Sequence, residues 1–194
     1  MDWGGPETAF PHSVRRLCKF ALLLTSGLVT VHAATLEQLS LDDLIAKSTA
    51  IVRGKVTGSY AAFHGPAIYT HYAIQVTERL KGSGQSTVDV AVPGGTANNL
   101  RQVFAGTPQF QTGEERVFFL WTGPSGLTQI MGLTQGIFEL SSGPSATVMA
   151  TRAGSSELML DPHSGRPVKG ETLVMKLSDL RSRIADRLAG RSLQ

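Results

Sequence analysis

The chain has 194 residues, enough for one domain of ordinary size, and 41% are apolar, enough to build a core. Charged residues make up only 17% and the formal net charge is +3. Neither a solvated helical array nor the basic stripe of a nucleic-acid-binding surface is therefore expected.

The first element predicted is an export signal. Arg15, Arg16 and Lys19 form a positive region, an uncharged apolar run follows from Phe20 to Val31, and Val31-His32-Ala33 supplies the residues of a cleavage site. The expected signal peptide is residues 1–33, with cleavage after Ala33 and Ala34 as the alternative end. The apolar run falls short of the ~20 residues that span a bilayer, so no stable membrane span is expected after cleavage. Residues 1–12 are acidic and Pro/Gly-containing, which is odd ahead of such a region and fits initiation near Val14. Arg15-Arg16 invites a twin-arginine reading, but Lys19 stands where that signal carries an apolar residue, which favours the general route. Localisation is thus expected to be secreted or periplasmic. Cys18 is the single cysteine, and cleavage would remove it with every disulfide or thiolate site.

The remainder, residues 34–194, reads as one mainly β domain. Ser40 is positioned to cap a short helix carrying Asp42 and Asp43 in its first turn, with Leu41, Leu44 and Ile45 buried. Ala50 to Thr57 alternates as a strand, and Gly54 at an inward position suggests a bulge or a close backbone approach. A polar loop is expected from Gly58 to Ala67. Ile68 to Leu80 is the clearest strand, with Ile68, Tyr72, Ile74, Val76 and Leu80 on one face and His71, Gln75, Thr77 and Arg79 on the other. A turn at Lys81 to Gly84 leads to a strand with Val88, Val90 and Val92 inward.

Pro93-Gly94-Gly95 opens a long connection to Glu115, a length that signals function or local structure. Val117 to Trp121 is continuously apolar and reads as a central strand covered on both faces. Leu127 to Leu133 and Ile137 to Leu140 are read as strands broken at Gly136. Thr147 to Thr151 and Glu157 to Leu160 are read as a hairpin around Gly154. Ser178 is expected to cap a final helix to about Ala189, with Leu177, Leu180, Ile184 and Leu188 as its apolar stripe and Gly190 as its stop.

The block Ile51-Val52-Arg53-Gly54-Lys55-Val56, the strand ending Leu80-Lys81-Gly82, the run Val88 to Val92, and Phe110-Gln111-Thr112-Gly113-Glu114-Glu115 before Val117-Phe118-Phe119-Leu120 resemble the netrin-like module of tissue inhibitors of metalloproteinases. Pro93 to Gly95 and Gln135 to Phe138 also resemble exported bacterial proteins of uncharacterised function. The resemblance spans about Ile51 to Leu140. It implies an OB-type β-barrel, here with a short N-terminal helix and a C-terminal helix. The barrel core would cover about residues 50–140, followed by a C-terminal hairpin and helix over 147–190. The inhibitors act through an N-terminal cysteine and disulfides, which this domain lacks, so their chemistry transfers to no residue here.

Chemistry-bearing residues are sparse. His64, His71 and His163 lack the clustering of a metal site and are expected to be surface histidines. Glu114 and Glu115 are adjacent, so on a strand they would face opposite ways; Glu114 is expected to pair locally with Arg or Lys. Ser125 belongs to a Gly-Pro-Ser-Gly turn rather than a nucleophile elbow. Gly94 and Gly95 could offer N–H groups to an anion, with a strand-ending turn as the expected role. Tyr60, Phe63, Tyr69 and Phe104 are placed near one end of the sheet and expected mostly in the core. Arg181, Arg183 and Arg187 could meet an acidic membrane or partner, or form a solvated helix face.

The reading is an exported, non-catalytic binding module with no catalytic residue, metal or cofactor. Its ligand would be a protein or another extracytoplasmic molecule, and not nucleic acid. The candidate ligand-binding residues are Tyr69, His71, Pro93, Gly94, Gly95 and Phe104. Two alternatives stand beside it. The resemblance suggests a secreted protease inhibitor or accessory factor. Convergence of His71, Glu78 or Asp89 in a pocket would instead indicate an enzyme with a dispersed active site.

Overall fold

A computed structural model of the chain describes Met1, residues 36–155 and residues 157–191. The export signal and its cleavage site lie outside the described residues. All described elements belong to the unit that runs from Ala33 to the C-terminus.

In chain order these are β1 (Leu36–Glu37), α1 (Leu41–Lys47), β2 (Ala50–His64), β3 (Ala67–Lys81), β4 (Thr87–Pro93), β5 (Gly95–Ala97), β6 (Leu100–Gln102) and β7 (Glu115–Thr122). They continue with β8 (Thr128–Ile130), β9 (Ile137–Ser142), β10 (Val148–Arg152), β11 (Met159–Leu160), β12 (Pro167–Val168), β13 (Leu173–Lys176) and α2 (Leu177–Leu188). The protein is mainly β, with one helix before the large sheet and one near the C-terminus.

The large sheet has the order β13-β10-β9-β7-β2-β3-β4, with β8 also paired to β7. Burial of β7 on both faces organises it. Val117 and Phe119 join Ile51, Phe138 and Ala150 against Leu44 and Ile45 of α1 and Leu180 and Ile184 of α2. Phe118 and Leu120 point the other way, into a cluster with Val52, Val56, Ile74, Val90 and Ile130. Residues 117–120 are completely buried, as an uninterrupted apolar run requires, whereas Trp121, expected in the same covered run, is 40% exposed.

The second cluster is enclosed because the strands curl. β8 comes back alongside β4, yet no ladder joins them. The sheet is therefore not closed by hydrogen bonds. β8 has only three residues between two turns, too few to run along the seven of β4.

Bulges set the curvature. The β2–β3 register shifts between Ile51 and Val52, between Arg53 and Gly54, and between Val56 and Gly58. At Gly54 a Cβ would lie 2.5 Å from Ile74 Cγ2 and 2.8 Å from the Gln75 carbonyl oxygen, so glycine answers a close approach. The first shift leaves Leu80 opposite no residue, and it packs on the helix-side cluster rather than with Tyr72 and Ile74.

Four expectations are corrected. The loop at Gly58 to Ala67 is strand up to His64, turning only at Gly65-Pro66. The hairpin around Gly154 does not form. β10 pairs with β9 and β13, while β11 pairs with β1 in parallel and with β12. Leu173 and Met175 pack on the core, which makes that later segment the better partner for β10. Ser178 does not cap α2. The extended Lys176 passes straight from strand to helix, and Ser178 Oγ donates to Asp179. Leu188 is exposed, whereas Leu177, Leu180 and Ile184 are buried and Gly190 takes the expected positive φ.

The helices are tied down by charge as well as by packing. Arg181 pairs with Glu78 and Arg183 with Asp42, so these two arginines serve internal contacts. No helix among the described residues is long and apolar enough to cross a membrane.

Ser40 caps α1 as expected, and Asp43 completes a reciprocal capping box. Asp43 N–H donates to Ser40 Oγ at 3.1 Å, while Ser40 N–H and Oγ donate to the Asp43 carboxylate. The Ser40 hydroxyl bond holds the Asp43 carboxyl below its ordinary range. A lowered folded-state value stabilises the fold above the unfolded value and is lost as pH falls through the folded one. Ser40→Ala is therefore expected to cost about 1 kcal/mol at neutral pH, with the deficit shrinking below pH ~4. Urea unfolding of both chains across that range checks it.

Candidate functional site

β2 has two neighbours only over Ala50–Lys55, where it lies between β3 and β7. From Gly58 to His64 its only ladder is with β3. The hairpin thus projects past the double-sided core, and its side chains there meet solvent unless another segment covers them. Cross-strand pairing sorts them into two faces. Tyr60 lies opposite His71 and Ala62 opposite Tyr69, while Ala61 lies opposite Thr70 and Phe63 opposite Ile68.

On the first face Tyr60 stacks on the His71 ring, with centroids 4.8 Å apart and planes 9° off parallel. His71 Nδ1 lies 2.9 Å from Asp89 Oδ2, and the Tyr60 hydroxyl donates to the same oxygen at 3.2 Å. Desolvation and the Asp89 charge raise the Tyr60 hydroxyl above the ordinary phenol range, so it remains a donor. An ionised carboxylate only accepts, so Nδ1 carries the hydrogen in this bond and a neutral ring keeps its lone pair on Nε2. His71 is buried rather than a surface histidine, and with Asp89, Thr87 and Thr128 it lines a cavity of about 270 Å³ along the β4–β8 seam. Glu78 does not join it, being paired with Arg181. His64 and His163 are exposed, and His64 packs edge-on against Tyr69.

The second face is covered by the connection after β4. β5 and β6 form a small hairpin laid against β2 and β3. Gln102 fastens it: its Oε1 accepts from Ile68 N–H at 2.6 Å and its Nε2 donates to the Pro66 carbonyl at 3.2 Å. Gly94 N–H donates to the Ile68 carbonyl, and Thr70 Oγ1 donates to the Gly94 carbonyl. Gly94 N–H is thus spent inside the fold rather than offered to an anion. Gly95 has φ 136°, and a Cβ there would lie 2.6 Å from Thr70 Oγ1 and 3.2 Å from Ala61 Cβ.

Under this cover is a cavity of about 260 Å³ lined by Thr70, Pro93, Gly95, Arg101 and Phe104 among others. Val103 and Phe104 belong to this lining together with polar Thr96, Gln102 and Thr107. Phe104 is 44% exposed, Val103 74% and Leu100 60%, with Phe63 at 41% and Tyr60 at 57% on the neighbouring hairpin. The expectation that most of these aromatics are core is corrected. Tyr69 is half-buried, and Tyr60, Phe63 and Phe104 are exposed. Arg101 is exposed on the same rim, with no hydrogen-bond or ion-pair partner among the described residues.

Pro93, Gly94, Gly95 and Phe104 are brought together around this cavity, while Tyr69 and His71 lie on the opposite face of the hairpin. Arg101 and Gln102 have no local motif that singles them out. Glu114 pairs with Arg116 as expected, and Arg116 also reaches Glu139. Among the described residues no group of three or more His, Cys, Asp or Glu is placed to hold a metal ion. No protein-family profile matches the chain, and no curated protein matches it.

Gly95→Ala is expected to displace the β5–β6 hairpin and destabilise the fold by about 1–3 kcal/mol, through the strained φ and the contact with Thr70. Thermal melting together with faster amide exchange over residues 95–104 checks this.

Proposed function

We propose that the protein is an exported binding module that engages its ligand at the end of the sheet covered by the β5–β6 hairpin and the loop that follows. The observation that carries this reading is the cavity of about 260 Å³ beneath that loop, lined in part by the exposed Phe104 and Val103. Exposed large apolar side chains grouped around a concavity are characteristic of recognition surfaces. The rigid fastening by Gln102 and Gly95 supports it, because a pre-formed site loses less entropy on binding. The netrin-like resemblance is consistent with binding through a sheet face and its bordering loops. Export rests on the basic and apolar sequence ahead of Ala34.

Photo-crosslinking in producing cells tests the module. With p-benzoylphenylalanine at Phe104, one discrete adduct is expected, absent when the probe replaces exposed Val174 on β13. Identical adduct patterns at both positions, or none, overturn the assignment.

A second reading is favoured by one observation. His71 and Asp89, which lie far apart in sequence, meet at 2.9 Å beside a cavity and leave Nε2 as a base. In that reading the seam is a hydrolytic or proton-transfer site. Turnover of chromogenic esters that is lost in His71→Gln supports it. Equal background rates in both chains count against it.

A further inference from the structure

We propose that the ligand of the cavity under the β5–β6 hairpin is a neutral sugar ring, stacked on Phe104 and bonded through its hydroxyls to the cavity wall. This rests on the binding-module reading above and names its ligand.

The composition of the wall carries the inference. Every lining residue comes from one of two stretches of sequence. No Asp, Glu, Lys or Arg occurs between Lys55 and Glu78, and only Arg101 occurs between Asp89 and Glu114. The wall therefore holds no carboxylate to receive an ammonium group. Glu157 packs against Gly106 of the same connection, outside the lining. One arginine offset by that carboxylate leaves no net charge to select an anion. A wholly apolar ligand is no better suited, because it would strip water from the polar wall without replacing its hydrogen bonds.

The hydrogen-bonding capacity of the wall runs in both senses. Thr70 Oγ1 donates to the Gly94 carbonyl at 2.8 Å and Thr107 Oγ1 to the Phe104 carbonyl at 2.9 Å. Both hydroxyls have spent their hydrogens and offer only lone pairs. Tyr72 is only 5% exposed, and its hydroxyl oxygen accepts from Phe110 N–H at 3.5 Å. The Tyr72 hydrogen has no acceptor among the described residues, so a buried donor is left over at the cavity. Arg101 adds a fork of free donors, and the side chains of Thr96 and Gln109 are likewise without partners among the described residues. Phosphate only accepts and ammonium only donates, whereas each sugar hydroxyl does both.

Phe104 supplies the apolar half of the site. A Cβ at Gly94 would lie 3.5 Å from Phe104 Cδ2, so glycine lets the ring settle on the backbone while 44% of the residue stays exposed. A sugar ring has an apolar C–H face and a hydroxylated edge. The face suits the electron-rich surface of a held aromatic, and the edge suits the wall. A volume of about 260 Å³ falls below the ~300–1,000 Å³ of sites for drug-sized ligands, which fits a single ring.

The test is binding of the full chain to immobilised neutral hexasaccharides: β-1,4-glucan, α-1,4-glucan, β-1,4-xylan, β-1,4-mannan and chitin oligomers. Polygalacturonate and dextran sulfate serve as anionic controls, and amide hydrogen exchange locates the contact. At least one neutral oligomer is expected to bind with submillimolar Kd and to slow exchange over residues 94–109. Phe104→Ala should weaken that binding about tenfold. Thr96→Val, which keeps the shape of an exposed side chain, should weaken it several-fold at unchanged Tm, and it decides the matter if Phe104→Ala melts early. No binding to any neutral oligomer, binding that survives these substitutions, or tighter binding to the anionic polymers overturns the proposal. If a protein adduct nevertheless forms at position 104 in cells, the sugar assignment falls while the binding module stands. Failure of both experiments removes both.

Discussion

The fold depends on one constraint: four successive side chains of β7 must be removed from water on both sides of a single strand. Alternation sends Val117 and Phe119 one way and Phe118 and Leu120 the other, so one sheet needs two covers. Helices α1 and α2 supply the first. The second is the sheet itself, curled so that Val52, Ile74 and Val90 meet Phe118 and Leu120. Each such side chain contributes about 1.5–3 kcal/mol relative to exposure. Bulges at the start of β2 permit this bending, and Gly54 allows β3 to approach where a side chain would block it.

The same constraint explains where the site lies. β7 pairs with β2 only as far as Lys55, and the curled core ends near Val56. The β2–β3 hairpin continues beyond it as a ribbon with little beneath. One side of the ribbon is covered by the β5–β6 hairpin, which needs glycine at 94 and 95 to double back so closely. The other side carries the Tyr60, His71 and Asp89 cluster. Neither side has the double burial of the core, which leaves aromatic rings at the surface.

Much of the fold was legible because its signals are local or periodic. The Ser40 cap, the inward Val88, Val90 and Val92, and the two-sided run at Val117 each follow from chemistry within a few residues. The Gly54 close approach was readable as a glycine at an inward strand position. The end of β2 was not, because Ser59, Ala61 and Ala62 are small, with Ser59 exposed and the two alanines half-exposed, and show no alternation. The partner of β10 was hidden for another reason. Glu157 to Leu160 is nearer in sequence, but Leu173 and Met175 can bury their side chains beside it.

The candidate site divides in the same way. Pro93, Gly94, Gly95 and Phe104 come from one connection whose length and glycines mark it, and they do gather around one cavity. Tyr69 and His71 were grouped with them, yet strand alternation sends them to the other face. A mainly β chain, the cap of its first helix, its central strand and its nearly uncharged stretches are written into the order of the residues, because propensity and period act over short range. Three-dimensional packing was needed to bring Asp89 to His71, to bond Gln102 across the turn at Pro66, and to curl the sheet without closing it. Those outcomes depend on register between distant strands, where a single bulge moves each later side chain to the opposite face.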